Sequence, residues 1–169
     1  MKRIVIKFGG TSVGSVEKII NAAKIIKKRC QEGNEVIVVV SAMSGTTDDL
    51  IDRSKQISSN FNKSELDVLM SSGEQISSSL LAGAIIELGI KARSWLGWQI
   101  PIVTSDNHTS SQIMQIKTDE ILNFISQRGV AVIAGFQGIS KESRITTLGR
   151  GGSDLSAVAI AKFFHTDSC

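Results

Sequence analysis

The chain has 169 residues, 41% of them apolar, and 19 lysines and arginines against 16 aspartates and glutamates, for a formal charge of +3. That length suits one domain or part of a larger one, and the mild positive charge admits an anionic small substrate without requiring one. No run approaches the roughly 18 apolar residues of a membrane span, no basic run interleaved with aromatics points to nucleic acid, and two cysteines, Cys30 and Cys169, make no disulfide framework and read as those of a reduced cytoplasmic protein.

The chain enters a strand at once, at Ile4-Val5-Ile6, so no signal peptide is expected. Lys7-Phe8-Gly9-Gly10 follows, then Thr11, Ser12, Gly14 and a helical pattern. This is a phosphate site in outline: glycines let backbone N–H groups approach an anion, the helix start adds positive potential, and Lys7 adds a mobile cation. It is not a Walker A loop, because Ser15 and Val16 stand where lysine and Ser/Thr are required, and it lacks the dinucleotide-binding glycine fingerprint. The alternative is a plain strand–helix turn with an exposed lysine.

Residues 15–30 form the first expected helix, with Ile19, Ile20, Ala23, Ile26 and Cys30 inward and lysines on a solvated face. Glu35 to Val40 is the strongest strand, continuous enough to be covered on both faces. It ends in Ser41 to Asp48, whose hydroxyls, Ser41 and Thr47 among them, suit either an oxyanion or a turn with an N-cap. A helix over 47–59 should bury Leu50, Ile51 and Ile57. A long helical region over 64–88 follows, with Ser64 and Asp67 in a capping pattern. Within it stands Gly73-Glu74, with two readings: a buried carboxylate awaiting a cation such as a substrate ammonium, or an exposed or capping residue at a helix break.

Residues 90–96 and 100–104 read as weak edge strands joined by Gly97-Trp98, and His108 as a surface residue in a polar loop. A capped helix over 118–128 carries Ile121, Leu122 and Ile125 inward. Val130 to Ala134 is a second buried strand running into Gly135-Phe136-Gln137-Gly138. Thr146 to Ser156 is a second glycine-rich helix start, holding Arg150 between glycines, then Gly151, Gly152, Ser153 and Asp154. Arginine can grip a carboxylate bidentately; an Arg150–Asp154 surface bridge is the plainer reading. Alternating strands and helices imply an α/β fold with a mainly parallel sheet, and the strand ends at Lys7, Ser41, Thr104 and Gly135 should meet along one edge.

KFGGTSV at 7–13, SAMSGTTD at 41–48, SSGE at 71–74, GFQG at 135–138 and TTLGRGGSD at 146–154, in that order, resemble the aspartate kinases of the amino-acid kinase family. The resemblance implies a three-layer α/β/α sandwich and ATP-dependent phosphorylation of the L-aspartate β-carboxylate, the first step toward lysine, threonine, methionine and diaminopimelate. It gives Lys7 contact with the transferred phosphoryl group and Asp154 the orienting of Lys7. Phe8, Gly9, Gly10 and Ser41 lie by the ATP phosphates. Ser41 and Thr47 lie by the reacting end of aspartate, Glu74 receives its ammonium, and Arg150 holds its α-carboxylate beside Gly151, Gly152 and Ser153. Mg²⁺ would be bound through the phosphates, not by dedicated ligands. The family pattern continues past Cys169 into an adenine-binding half and usually ACT regulatory domains. The expectation is therefore residues 1–169 as a domain incomplete at its C-terminus, completed by a homo-oligomer or a partner chain. The alternative is a non-catalytic fragment or interaction module.

Overall fold

A computed structural model describes residues 2–169. Its centre is the apolar run that the sequence marks most strongly. Strand β2 (Glu35–Val40) lies between β1 (Arg3–Phe8) and β6 (Val130–Ala134), and β3 (Ala92–Trp95) closes the far side, all four parallel in the order β1-β2-β6-β3. Alternation along a strand sends successive side chains to opposite faces. Val36, Val38 and Val40 therefore pack with Ile19, Ala23 and Ile26 of α1 (Val16–Gln31) and Leu81 and Ile85 of α3 (Lys63–Glu87). Ile37 and Val39 pack on the other face with Ile121 and Ile125 of α4 (Asp119–Ser126) and Ile160 of α5 (Gly152–Phe163). The result is the expected helix–sheet–helix sandwich.

The sequence reading expected one mainly parallel sheet; the structure has two. A second, mixed sheet has the order β5-β4-β7-β8, built from β4 (Ile102–Thr104), β5 (Ile113–Ile116), β7 (Gln137–Ile139) and β8 (Ile145–Thr147). Thr104 therefore does not join the main carboxyl edge; its hydroxyl is buried against that of Thr146. The three-residue strands β7 and β8 fall where the sequence shows only loop chemistry.

Three helix expectations also change. In α2 (Thr46–Ile57) Ile57 is exposed, and Ser54 is the buried residue. In α1, Ile20 faces solvent. The cap of α3 is Asn62, which accepts from the Ser64 and Glu65 N–H groups; Asp67 is fully buried instead. No break occurs at Gly73, and α3 runs through it. A Cβ there would lie 2.7 Å from the Ala42 Cβ, so the glycine lets the helix press against the end of β2.

Gly73→Ala should therefore destabilise the protein by about 1–2 kcal/mol through overpacking, although alanine is the better helix former by about 1 kcal/mol. Urea unfolding measures the balance; equal or greater stability would show that the contact is not tight.

Candidate functional site

A cleft of about 750 Å³ opens at the carboxyl edge of the main sheet. Strand β1 delivers Lys7 to it, the end of β2 delivers Ser41 and Ala42, and the start of α2 delivers Thr47 and Asp48. Helix α3 contributes Leu66, Met70 and Glu74, and the turn into α5 contributes Gly149 to Asp154. Open parallel sheets bind ligands at this edge because the strands end there in loops and helix starts. A second hollow of similar size lies at the opposite end of the sheet. Two of its cations are already engaged: Lys27 Nζ donates to the Leu88 carbonyl and Lys91 Nζ to Gln127 Oε1.

Glu74 sets the character of the cleft. It is 3% exposed. Oε1 accepts the Ala42 N–H at 3.0 Å, and Oε2 has no partner. Burial disfavours the charged form and pushes the carboxyl up to about 7, against the smaller opposing effect of the Ala42 N–H. Of the two sequence readings, the buried carboxylate is the one observed. The press of Gly73 on Ala42 brings it there, and Ser77 Oγ ties the same turn of α3 to the Ser41 carbonyl at 2.7 Å.

Positive groups share the cleft with this carboxylate. Lys7 Nζ lies 2.8 Å from Asp154 Oδ1, so Asp154 pairs with Lys7 and not with Arg150. Arg150 is exposed and makes no ion pair among the described residues. It sits between Gly149 and Gly151, whose φ values of 79° and 72° suit glycine. The helices α2 and α5 both start at the cleft after a left-handed glycine, with no side-chain cap. Uncapped helix starts carry free N–H groups and favour anions.

Not all the expected residues reach the cleft. The Phe8 side chain is buried in the core, and its carbonyl accepts the Ser41 N–H at 3.0 Å. Gly9 and Gly10 do not line the cleft. Helix α1 begins at Val16 under its own cap, with Ser15 Oγ accepting the Lys18 N–H. Lys7, Ser41, Thr47, Glu74, Arg150, Gly151, Gly152, Ser153 and Asp154 do converge. Phe61, Lys63 and Thr109 join them without any sequence signal, and Phe136 joins from the glycine-flanked strand end that the sequence marks. His108 is not a plain surface residue; its Nδ1 lies 2.6 Å from Asp67 Oδ2.

The profile of the amino acid kinase family matches residues 2–169. The chain belongs to the amino acid kinase family. Its relatives include an aspartokinase of Geobacillus stearothermophilus, 48% identical over 98% of this chain. Another is aspartokinase 2 of Bacillus subtilis, 47% identical over the whole chain. The chain spans 41% of the length of each. The aspartate kinase of Synechocystis superposes with a TM-score of 0.83 at 43% identity, covering 99% of this chain and 27% of that one. The E. coli aspartokinase III structure with aspartate and ADP has a TM-score of 0.84 at 22% identity, covering 98% of this chain and 47% of that one, a likeness of fold. No helix of this family member is long and apolar enough to cross a membrane, among the described residues.

The pH dependence of stability follows from Glu74. Between its ordinary 4.5 and about 7 the folded protein holds a proton that the unfolded chain has released. This contribution to stability is full below the lower value and is lost as pH rises through the higher, about 3 kcal/mol in all. Glu74→Gln should therefore raise the melting temperature at pH 8 and change it much less at pH 5. Equal shifts at both pH values would mean that Glu74 titrates normally.

Proposed function

We propose that the cleft binds L-aspartate and that the chain carries the amino-acid side of an aspartate kinase. The observation that carries this reading is the pairing, in one cleft, of a buried carboxylate and an arginine: among the described residues one oxygen of the former has no partner and the latter no ion pair. An α-amino acid carries the complementary charges. Its ammonium answers Glu74, and its α-carboxylate answers Arg150, assisted by Ser153 and the start of α5 at Gly151 and Gly152. Ser41 and Thr47, at the ends of β2 and the start of α2, are left for the β-carboxylate. Names of relatives favour aspartate over other acidic amino acids.

In this reading a β-carboxylate oxygen attacks the γ-phosphorus of ATP, a P–O bond forms, and the bond to the ADP oxygen breaks. No general base is needed, since a carboxyl of ordinary pKa is ionised near neutral pH. The protein's work is positioning and neutralising charge on the oxygens. Lys7 meets the transferred phosphoryl group, held toward it by Asp154. No three metal-ligating side chains converge among the described residues. Magnesium is commonly held through substrate phosphates with few protein ligands. Adenine and ribose are assigned to residues outside this cleft, in the remainder of a longer chain or in a partner. The product, aspartyl phosphate, would open the routes to lysine, threonine, methionine and diaminopimelate.

Two measurements test this. In calorimetry, aspartate binding near pH 7 should release up to about half a proton per site as the ammonium favours ionised Glu74. The release should vanish in Glu74→Gln, and Arg150→Ala should cost about 2–5 kcal/mol of affinity. No heat of binding, or affinity indifferent to Arg150, would remove aspartate from the cleft. In a chain of the relatives' length, ATP-dependent aspartyl phosphate trapped as the hydroxamate should fall by about two orders of magnitude or more in Lys7→Ala, with aspartate affinity changed far less. Equal loss in both would contradict a role for Lys7 on the phosphoryl group.

A further inference from the structure

We propose that Asp67 is a positioning residue for Arg150, gripping the arginine's turn from both sides; the inference rests on the reading of Arg150 as the carboxylate-binding cation. Asp67 lies on α3, fully buried, away from the lining of the cleft. Its carboxylate accepts from three directions. Thr147 Oγ1 donates to Oδ1 at 2.5 Å. The Thr109 N–H donates to Oδ1 and Oδ2 at 3.0 and 3.1 Å. His108 Nδ1 lies within hydrogen-bond distance of Oδ2, at 2.6 Å. A buried carboxylate so fully satisfied is a rigid anchor, because losing any one donor leaves an uncompensated polar group out of water.

What the anchor holds is the approach to Arg150. Thr147 ends β8, just before the turn that carries the arginine. Thr109 holds the other side: a Cβ on Gly149 would lie 3.1 Å from the Thr109 carbonyl, so the turn packs directly on this residue. Thr109 itself has φ of 69°, a left-handed conformation unusual for threonine. The double acceptance of its N–H by Asp67 compensates for that conformation. A further link, the Ser111 N–H to the Thr147 carbonyl at 2.9 Å, closes the ring between the two segments. Asp67 thus fixes the residue before the turn and the residue beneath it, without touching a ligand. The turn is also tied by the Leu148 N–H to the Phe136 carbonyl and the Gly152 N–H to the Gly149 carbonyl, both at 3.0 Å, while the arginine side chain forms no ion pair among the described residues.

The test uses the chain itself, with L-aspartate as the probe. Asp67→Asn keeps the shape but cannot accept at both oxygens, and Thr147→Val removes one donor while Thr147→Ser restores it. Aspartate affinity is read by calorimetry, folding by cooperative melting, and the two segments by amide hydrogen exchange. In folded Asp67→Asn and Thr147→Val, aspartate should bind about tenfold or more weakly. Exchange should quicken over residues 105–111 and 147–152 and not elsewhere, and Thr147→Ser should bind as the parent does. Unchanged affinity with unchanged exchange, or exchange that quickens uniformly over the chain, would overturn the inference. If the parent chain does not bind aspartate, the proposed function fails. Positioning then stands or falls on exchange alone, supported by quickening confined to those two segments and overturned by any other pattern.

Discussion

A carboxylate kept out of water at the carboxyl edge of the sheet constrains everything around it. Glu74 accepts one backbone N–H and leaves one oxygen without a partner. Ionising it in that state is unfavourable, which is why its proton is held to about pH 7. A cation arriving at the open oxygen would remove that cost, so ligand binding and folding stability draw on the same group. The empty cleft is thereby disfavoured at neutral and higher pH.

Helix α3 makes this possible by burying two different kinds of surface. Asp67, Ser71, Glu74 and Ser78 are all buried and follow one another at helical spacing, while farther along the buried residues are Leu81, Ala82 and Ile85. The polar stretch meets the loops and the second sheet: Asp67 takes Thr109 and Thr147, the Ser71 carbonyl accepts Gln137 Nε2, and Glu74 takes Ala42. The apolar stretch meets the main sheet and α1. One rigid rod thus carries the core at one end and aligns the cleft at the other, and side chains on helices hold position better than those on loops.

That division also explains which parts of the protein could be read from its sequence. Strands β2 and β6 are continuous apolar runs and announce themselves, as does the amphipathic α1. The polar half of α3 cannot be found by looking for apolar periodicity. Asp67 looks like a helix cap and Glu74 looks ambiguous, because what buries them is the approach of distant loops. Strands β7 and β8 have three residues each and contain glycine and threonines, so they resemble the loops around them. Helix α2 misleads for a related reason: with Ser54 its buried residue, its apolar side chains carry no information about the core. At the cleft, the lysine, the arginine and the second glycine turn were legible as chemistry at strand and helix ends. Thr109 was not, since its place depends on the second sheet.

The pair formed by Lys7 and Asp154 shows why a site of this kind can hold its main cation cheaply. The Lys7 side chain is 26% exposed and that of Asp154 72% exposed. An ion pair with one partner so open to water is worth about 1 kcal/mol or less. It is enough to bias a flexible lysine toward the cleft and too little to compete with the oxygens of a phosphoryl group, which carry more charge. A deeply buried partner would hold Lys7 more firmly and would oppose its transfer to the ligand with several kcal/mol. In the proposed reading, the weakness of the contact suits Lys7: the pair orients the lysine before a ligand arrives and leaves it free to turn to one.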